Sequence, residues 1–269
     1  MDAVEHCEVS ESSLCEAMIA VMSQVRPDFP IERVRQQLAE LVAEARRHVS
    51  AELDQEQQLE QLLDLFYQQW GFRGAEGIYR LSDALWLDTL LQTRQGTAVS
   101  LGAVLMFIAG ELSLPLLPVI FPTQLIIRAD WVEEEMWLIN PFNGDTLDEH
   151  TLDVWVKGTL GPTSTLFDED LDEAEVGTVV RKMLETLKSS LMEEQQPELA
   201  LQVSEVLLTM DPEDPYEIRD RGLIYAQLEC EHIALNDLTY FIEQCPEDPV
   251  SEMIKVQIHA IGSKHVTLH

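Results

Sequence analysis

Between residues 10 and 70 the apolar positions recur at helical spacing. Leu14, Met18, Val21 and Met22 share one face of a helix over about 10–26, capped by Ser12 or Ser13 and stopped by Arg26-Pro27-Asp28-Phe29-Pro30. Val34, Leu38, Leu41, Val42 and Ala45 predict a second helix over about 31–49. Leu59, Leu62, Leu63 and Phe66 predict a third over about 52–70, with Glu and Gln on its other face. These three read as a covering layer for a core formed later in the chain. Gly71, Gly74 and Gly77 predict a loop over 71–80, and Leu81–Leu91 reads as a short helix with Ser82 and Asp83 in its first turn.

After a turn at Arg94-Gln95-Gly96 the pattern changes. Val99–Leu112 carries Leu101, Val104, Leu105, Phe107, Ile108 and Leu112, so it is apolar nearly all round and predicts a helix buried on most sides. Short apolar runs at Leu116–Phe121, Gln124–Arg128 and Met136–Asn140 read as strands, with Ala129–Glu135 as an acidic hairpin turn and Asn143-Gly144-Asp145 as another turn. Gly158, Gly161 and Pro162 mark a boundary, and Asp168–Glu175, with six carboxylates and no base, reads as a solvated helix start.

From about 176 the chain is helical and repeats itself. Pro212-Glu213-Asp214-Pro215 returns as Pro246-Glu247-Asp248-Pro249, 34 residues on. Ala200 pairs with Ala234 and Leu207 with Phe241 at the same shift. That is the tetratricopeptide period, and Gly222, Tyr225, Ala234 and Pro246 occupy its Gly, Tyr, Ala and Pro positions. The preceding copy is degenerate, with Lys188 and Leu191 where Gly and Tyr are usual, and Pro249–Ile261 reads as a closing helix.

Composition narrows the function. The 269 residues hold 17 basic against 49 acidic side chains, a net charge of −32. That balance argues against nucleic acid and against anionic membrane surfaces. It favours solubility, or attraction to a basic partner. The polar, acidic start MDAVEHCEVSESS has neither the basic nor the apolar region of a secretory signal. The longest apolar run, Leu112–Phe121, is too short to span a bilayer. A cytoplasmic location with no membrane association is expected. Cys7, Cys15, Cys230 and Cys245 form no CxxC pair and are expected to be reduced.

The stretch from Arg94 to Gly144, a turn and buried helix followed by a hairpin, has the order in which cysteine-protease-like and transglutaminase-like folds mount a Cys-His-Asp site. Between His48 and His150, however, there is no His and no Cys. A triad would need His6, Cys7, Cys15 or residues of the repeats. Ser100 has no histidine near it in sequence and is expected to bond helix backbone. Asp83, Asp88, Glu111 and Asp130 have no spacing that sets them apart from surface charges. No phosphate-binding loop, HExxH motif or metal-spaced cluster is present, so no cofactor and no metal is expected.

The run LSDALWLDTLLQTRQGTAVSLGAVL, then LPVIFPTQLIIR, WLINPFNG and PEDPYEIRDRGLIYAQLECEH, closely resembles the SirB-type (YchA-like) family of bacterial proteins. These join a transglutaminase-like region to tetratricopeptide-like helices. The resemblance implies an α+β, mostly helical fold. It would have a transglutaminase-like (papain-like) domain with a small antiparallel sheet over 1–160, an acidic linker over 161–175 and all-α repeats over 176–269. It also places the catalytic Cys, His and Asp of active relatives at Ala98, Gln124 and Asn140. Ala has no nucleophile, and neither amide acts as a base near neutral pH. The resulting expectation is a non-catalytic scaffold or regulatory protein that binds a protein or peptide through Tyr216, Arg219, Asp220 and Tyr225, unless those residues pack internally. Two alternatives share the old cleft, lined by Arg94, Ser100, Gln124 and Asn140: a hydrolase or amide-processing enzyme using other groups, and a small-molecule sensor.

Overall fold

A computed structural model of the chain describes residues 13–77, 80–131 and 136–264. Ser12, His6, Cys7 and positions 132–135 of the expected hairpin turn lie outside the described residues. The chain is mostly helical and divides into two compact units. One is formed by residues up to Ser23 with Asp28–Met183, the other by Gln24–Pro27 with Leu184 onward.

In the first unit α1 (Leu14–Val25, with the boundary after Ser23) and α2 (Ile31–His48) bury the stripes expected of them. Ser13 caps α1, its Oγ accepting from the Glu16 N–H at 3.3 Å. The third helix differs from expectation: α3 (Gln55–Leu63) gives way to a π-helical turn over Asp64–Gln69. The widened turn lets Leu65, Phe66 and Tyr67, three consecutive side chains, all become buried. Phe66 then stacks on Phe72 with ring centroids 4.2 Å apart.

The expected single helix over 81–91 is two, α4 (Leu81–Leu85) and α5 (Leu87–Thr93), broken at Trp86. The reason is local. The Ala84 carbonyl accepts from Thr97 N–H at 3.2 Å and from Ser100 Oγ at 2.7 Å, so it is drawn out of the helical ladder. The loops at 71–80 and 94–96 are not free turns. Arg73–Gly74 (β1) and Gln95–Gly96 (β2) pair in parallel. Next, α6 (Ala98–Glu111) is buried on most of its surface and packs against α2, α5 and the three-stranded antiparallel sheet. That sheet runs β3 (Leu116–Ile120), β4 (Leu125–Asp130), β5 (Met136–Ile139), with Ile127 opposite Ile139.

The sequence pattern did not predict α7 (Glu149–Leu160). Asp148 caps it, accepting from the Thr151 N–H at 2.7 Å. Its two buried residues, Leu152 and Val156, close a core with Val119, Phe121, Ile126, Leu138 and Leu147. Residues 161–175, read from their charge as a linker, are tied to the same sheet. Leu166 and Leu171 pack on that core, Arg128 Nη1 donates to the Leu171 carbonyl at 2.7 Å, and Ala174 N–H donates to the Pro118 carbonyl at 2.8 Å. A single 3-10 turn, Asp168–Leu171, stands where a helix start was expected.

The second unit is helical. Its elements are α8 (Val176–Glu193, with the boundary after Met183), α9 (Pro197–Met210), α10 (Pro215–Gln227), α11 (Glu231–Gln244) and α12 (Pro249–Lys264). The repeated Pro-Glu-Asp-Pro makes the same helix start twice. Asp214 Oδ1 accepts from Tyr216 N–H at 2.9 Å with Pro215 opening α10, and Asp248 Oδ1 accepts from Val250 N–H at 2.8 Å with Pro249 opening α12. Gly222 lets α10 and α11 approach, since a Cβ there would lie 2.9 Å from Asp237 Cβ. Leu238, Phe241 and Ile254 form the buried centre of α11 and α12.

Candidate functional site

Thr97 and Ser100 start α6 with a reciprocal cap. Thr97 Oγ1 accepts from Ser100 N–H at 3.3 Å and Ser100 Oγ accepts from Thr97 N–H at 2.9 Å. The Ser100 hydroxyl also donates to the Ala84 carbonyl at 2.7 Å and is fully buried. The expectation that Ser100 bonds helix backbone thus holds for the cap. Its proton goes further, to the carbonyl that breaks α4 from α5. Ala98 is the first residue of α6 and is buried. It lies one turn before Gly102 on the same helix face, where a Cβ would sit 2.9 Å from Leu125 Cδ2. That face of α6 therefore meets the start of β4, next to Gln124.

Gln124 and Asn140 come together. Gln124 Nε2 donates to Asn140 Oδ1 at 3.5 Å, the long end of hydrogen-bond range. The same Oδ1 accepts from Phe142 N–H at 3.1 Å, so Asn140 also shapes its own turn. Asn140 O accepts from Gly144 N–H at 2.8 Å, and the buried Tyr67 hydroxyl donates to Pro141 O at 2.7 Å. Gly144 has φ +79° and a Cβ there would meet the Tyr67 ring at 2.6 Å, so the turn needs glycine twice over. The Phe142 ring lies against Gly74 of β1, where a Cβ would be 2.9 Å from Phe142 Cδ1. β1, β2, the N-terminus of α6 and the 140–144 turn therefore form one joined corner.

Arg94 sits at the edge of that corner in a left-handed conformation, φ 61°. Its guanidinium lies 4.5 Å over the Phe72 ring, and Nη1 has no acceptor among the described residues. Burial lowers its pKa below the ordinary arginine value, with the Glu44 carboxylate opposing. No bond links Arg94 to Gln124 or Asn140 among the described residues. A groove of about 320 Å³ does exist in this unit, but it is lined by α1, α2 and α6 residues including Leu38, Val42 and Phe107, and by none of Arg94, Gln124 and Asn140.

Cys15 is fully buried, and burial pushes its thiol well above the ordinary range, away from the thiolate a nucleophile requires. Among the described residues no group of three His, Cys, Asp or Glu side chains could hold a metal ion. Nor is any helix among them long and apolar enough to cross a membrane.

In the second unit the four residues proposed for partner binding divide between two faces of α10. Tyr216, Arg219 and Asp220 belong to one connected group. Tyr216 Oη donates to Asp248 Oδ2 at 2.8 Å, Arg219 Nη2 donates to Asp220 Oδ1 at 2.6 Å, and the Arg219 guanidinium lies 5.4 Å from the Tyr216 ring and 5.2 Å from that of Phe241. Tyr225, nine residues after Tyr216, falls half a turn away. Burial raises its pKa first, with Glu205 adding to the shift. Nearby, Arg221 grips Asp237 through two bonds of 2.8 and 2.9 Å.

Sequence reasoning missed the group behind this face. Lys188, itself buried, donates to Glu217 Oε2 at 2.6 Å and to Asp220 Oδ2 at 2.8 Å, and Ser204 Oγ donates to Glu217 Oε1 at 2.6 Å. The available signal was a lysine at a position where the repeat usually has glycine.

The transglutaminase-like superfamily matches residues 32–185, and the tetratricopeptide repeat family matches residues 187–259. Protein SirB1 of Salmonella typhimurium is 61% identical over 269 residues, covering 100% of both chains. UPF0162 protein YchA of Escherichia coli K12 is 60% identical over the same span, again covering 100% of both. A crystal structure of menin, described as revealing its binding site for Mixed Lineage Leukemia protein, covers 95% of this chain and 67% of its own. Its TM-score of 0.41 and 9% identity are too low for a shared fold to be read from it.

Proposed function

We propose, from the premise that this chain belongs to the SirB1/YchA family, with a transglutaminase-like region followed by tetratricopeptide helices, that it is a non-catalytic scaffold. The carrying observation is the chemistry of Ala98, Gln124 and Asn140. The residue opening α6 has no nucleophile, and the two facing side chains are amides bonded to each other at 3.5 Å. An amide pair neither takes up nor releases a proton near neutral pH, so the corner positions no acid, base or attacking atom.

Other nucleophiles give the enzyme reading little support. The Ser100 proton is committed to Ala84 O, and the Cys15 thiol is buried and held protonated. The transglutaminase-like region then serves as a rigid support, and the repeats take a protein or peptide partner in the cytoplasm. Tyr216, half exposed, and Tyr225 offer two separate places for contact.

Two assays test this. Purified protein is incubated with glutamine- and amine-donor peptides and with ester substrates, and no turnover is expected. Turnover that survives repeated purification and falls on Asn140→Ala would overturn the non-catalytic reading. Separately, co-purification from the native cell compares wild type with Tyr216→Ala and Tyr225→Ala. A partner lost from one variant identifies the binding face, and identical partner sets for all three would sink the repeat surface.

A further inference from the structure

The chain holds three asparagines, and each is placed differently for attack on its own side chain. An asparagine loses its amide when the next main-chain nitrogen attacks Cγ. That step needs a removable proton on the nitrogen and room for it to approach. Asn140 precedes Pro141, whose nitrogen carries no proton. Asn236 precedes Asp237 inside α11, where the helical ladder holds the N–H and a side chain on the next residue crowds the approach. Asn143 is exposed and precedes Gly144, which has an N–H and no Cβ.

The fold holds back each atom that this ring closure uses. The Gly144 N–H donates to the Asn140 carbonyl at 2.8 Å, so its proton is engaged. The Asn143 carboxamide is tied to Asp145: Oδ1 accepts from the Asp145 N–H at 3.1 Å, and Nδ2 donates to Asp145 Oδ2. The Asn140 N–H donates to the Asp145 carbonyl at 2.9 Å and closes the turn at its ends. Tyr67 pins it from behind. Its buried ring lies 2.6 Å from where a Gly144 Cβ would stand, and its hydroxyl donates to the Pro141 carbonyl at 2.7 Å.

We propose that Asn143 is a site of spontaneous modification gated by this corner: it reacts when the 140–145 turn opens, and the product keeps the turn from closing as before. On opening, the Gly144 nitrogen gives up its proton and bonds to Cγ. The Cγ–Nδ2 bond breaks, and Nδ2 leaves as ammonia, which leaves a five-membered imide. Water then adds to one of the two imide carbonyls and breaks its bond to the nitrogen, giving isoaspartate or aspartate at 143. No electrons are exchanged, and water is the one co-reactant. The isoaspartyl linkage puts one extra atom into the main chain ahead of Gly144. Either product sets a second carboxylate beside Asp145, where an amide had donated to it. The turn that holds Gly144 at φ +79° against Tyr67 then no longer fits, so a brief opening leaves a lasting mark.

The full chain is incubated at mildly alkaline pH, folded and in urea, and aspartate and isoaspartate at 143 are followed by tandem mass spectrometry. Modification should be slower in the folded chain by roughly tenfold or more, because its rate follows the open population. Tyr67→Phe keeps the ring and drops only the bond to the Pro141 carbonyl. It should speed modification several-fold and raise amide hydrogen exchange at Gly144 by a like factor. Wild type across a urea series below its unfolding transition gives the same comparison without a substitution. The modified form, separated by its added charge, should unfold at a lower temperature than its parent. Equal rates in folded and unfolded chains, or faster Gly144 exchange without faster modification, would overturn the gate. A modified form as stable as its parent would overturn the lasting mark.

Discussion

The two units bury different chemistry at their centres. In the first, α6 is surrounded by apolar side chains, and its one conspicuous hydroxyl, Ser100, is spent on backbone groups. In the second, the space among α8, α9 and α10 holds a lysine, a glutamate and a serine bonded to one another. Apolar packing specifies a structure by volume, and a substitution there costs in proportion to the misfit. A buried ionic group specifies it by pairing, and removing one member strands the others. The first unit should therefore tolerate loss of charge and resist changes of size, while the second should do the reverse.

The largest expected effect is at Lys188. Lys188→Ala leaves Glu217 buried without its cation and should cost about 3–5 kcal/mol in urea unfolding. Lys188→Met combined with Glu217→Leu should recover most of that loss. A small effect for Lys188→Ala would remove the contrast between the units. Next comes Ser100→Ala, which removes one of two bonds from the Ala84 carbonyl and one of two from the Thr97 N–H while those two keep each other, and should cost about 0.5–1.5 kcal/mol. It should leave partner binding unchanged in the co-purification assay.

A smaller effect concerns pH. The Val250 backbone N–H, with the Tyr216 hydroxyl behind it, holds Asp248 below the ordinary aspartate value. A depressed carboxyl contributes stability that is present above its unfolded value and is lost as pH falls through its folded one. Asp248→Asn should flatten the acid limb of the stability curve below about pH 4 and change little at neutrality. The smallest effect is Arg94→Gly. Glycine relieves the left-handed backbone while the contact with Phe72 is lost, so the two should nearly cancel, within about 0.5 kcal/mol by thermal unfolding. A clearly larger loss would show that Arg94 supports the corner beyond its own ring contact.

Much of the second unit was legible in the sequence because its signals are local. The Asp-Pro starts of α10 and α12, the 34-residue shift and the small Gly222 and Ala234 each act within or between adjacent helices. The first unit was legible in outline, from the helical stripes of α1 and α2 to the all-round apolarity of α6. It failed at details set from a distance. Nothing near Leu63 announces the π-helical turn, whose buried Tyr67 hydroxyl bonds the Pro141 carbonyl 74 residues on. Residues 161–175 look like a solvated linker because their carboxylates outnumber Leu166 and Leu171, yet those two leucines meet the sheet.

The candidate corner divides in the same way. The identities Ala98, Gln124 and Asn140 are facts of sequence, and they alone rule out a thiol, an imidazole and a carboxylate at those positions. That Gln124 reaches Asn140, that Asn140 also holds the Phe142 turn, and that Ser100 is consumed by Ala84 depend on chain segments brought together only by folding. The same holds for Lys188, which is an unusual residue in a degenerate repeat until α10 supplies Glu217 and Asp220 beside it. Spacing along the chain fixes which face of a helix a side chain occupies. Only the packing of one element on another decides what that face meets, and so whether a polar group there is solvated, satisfied or free to act.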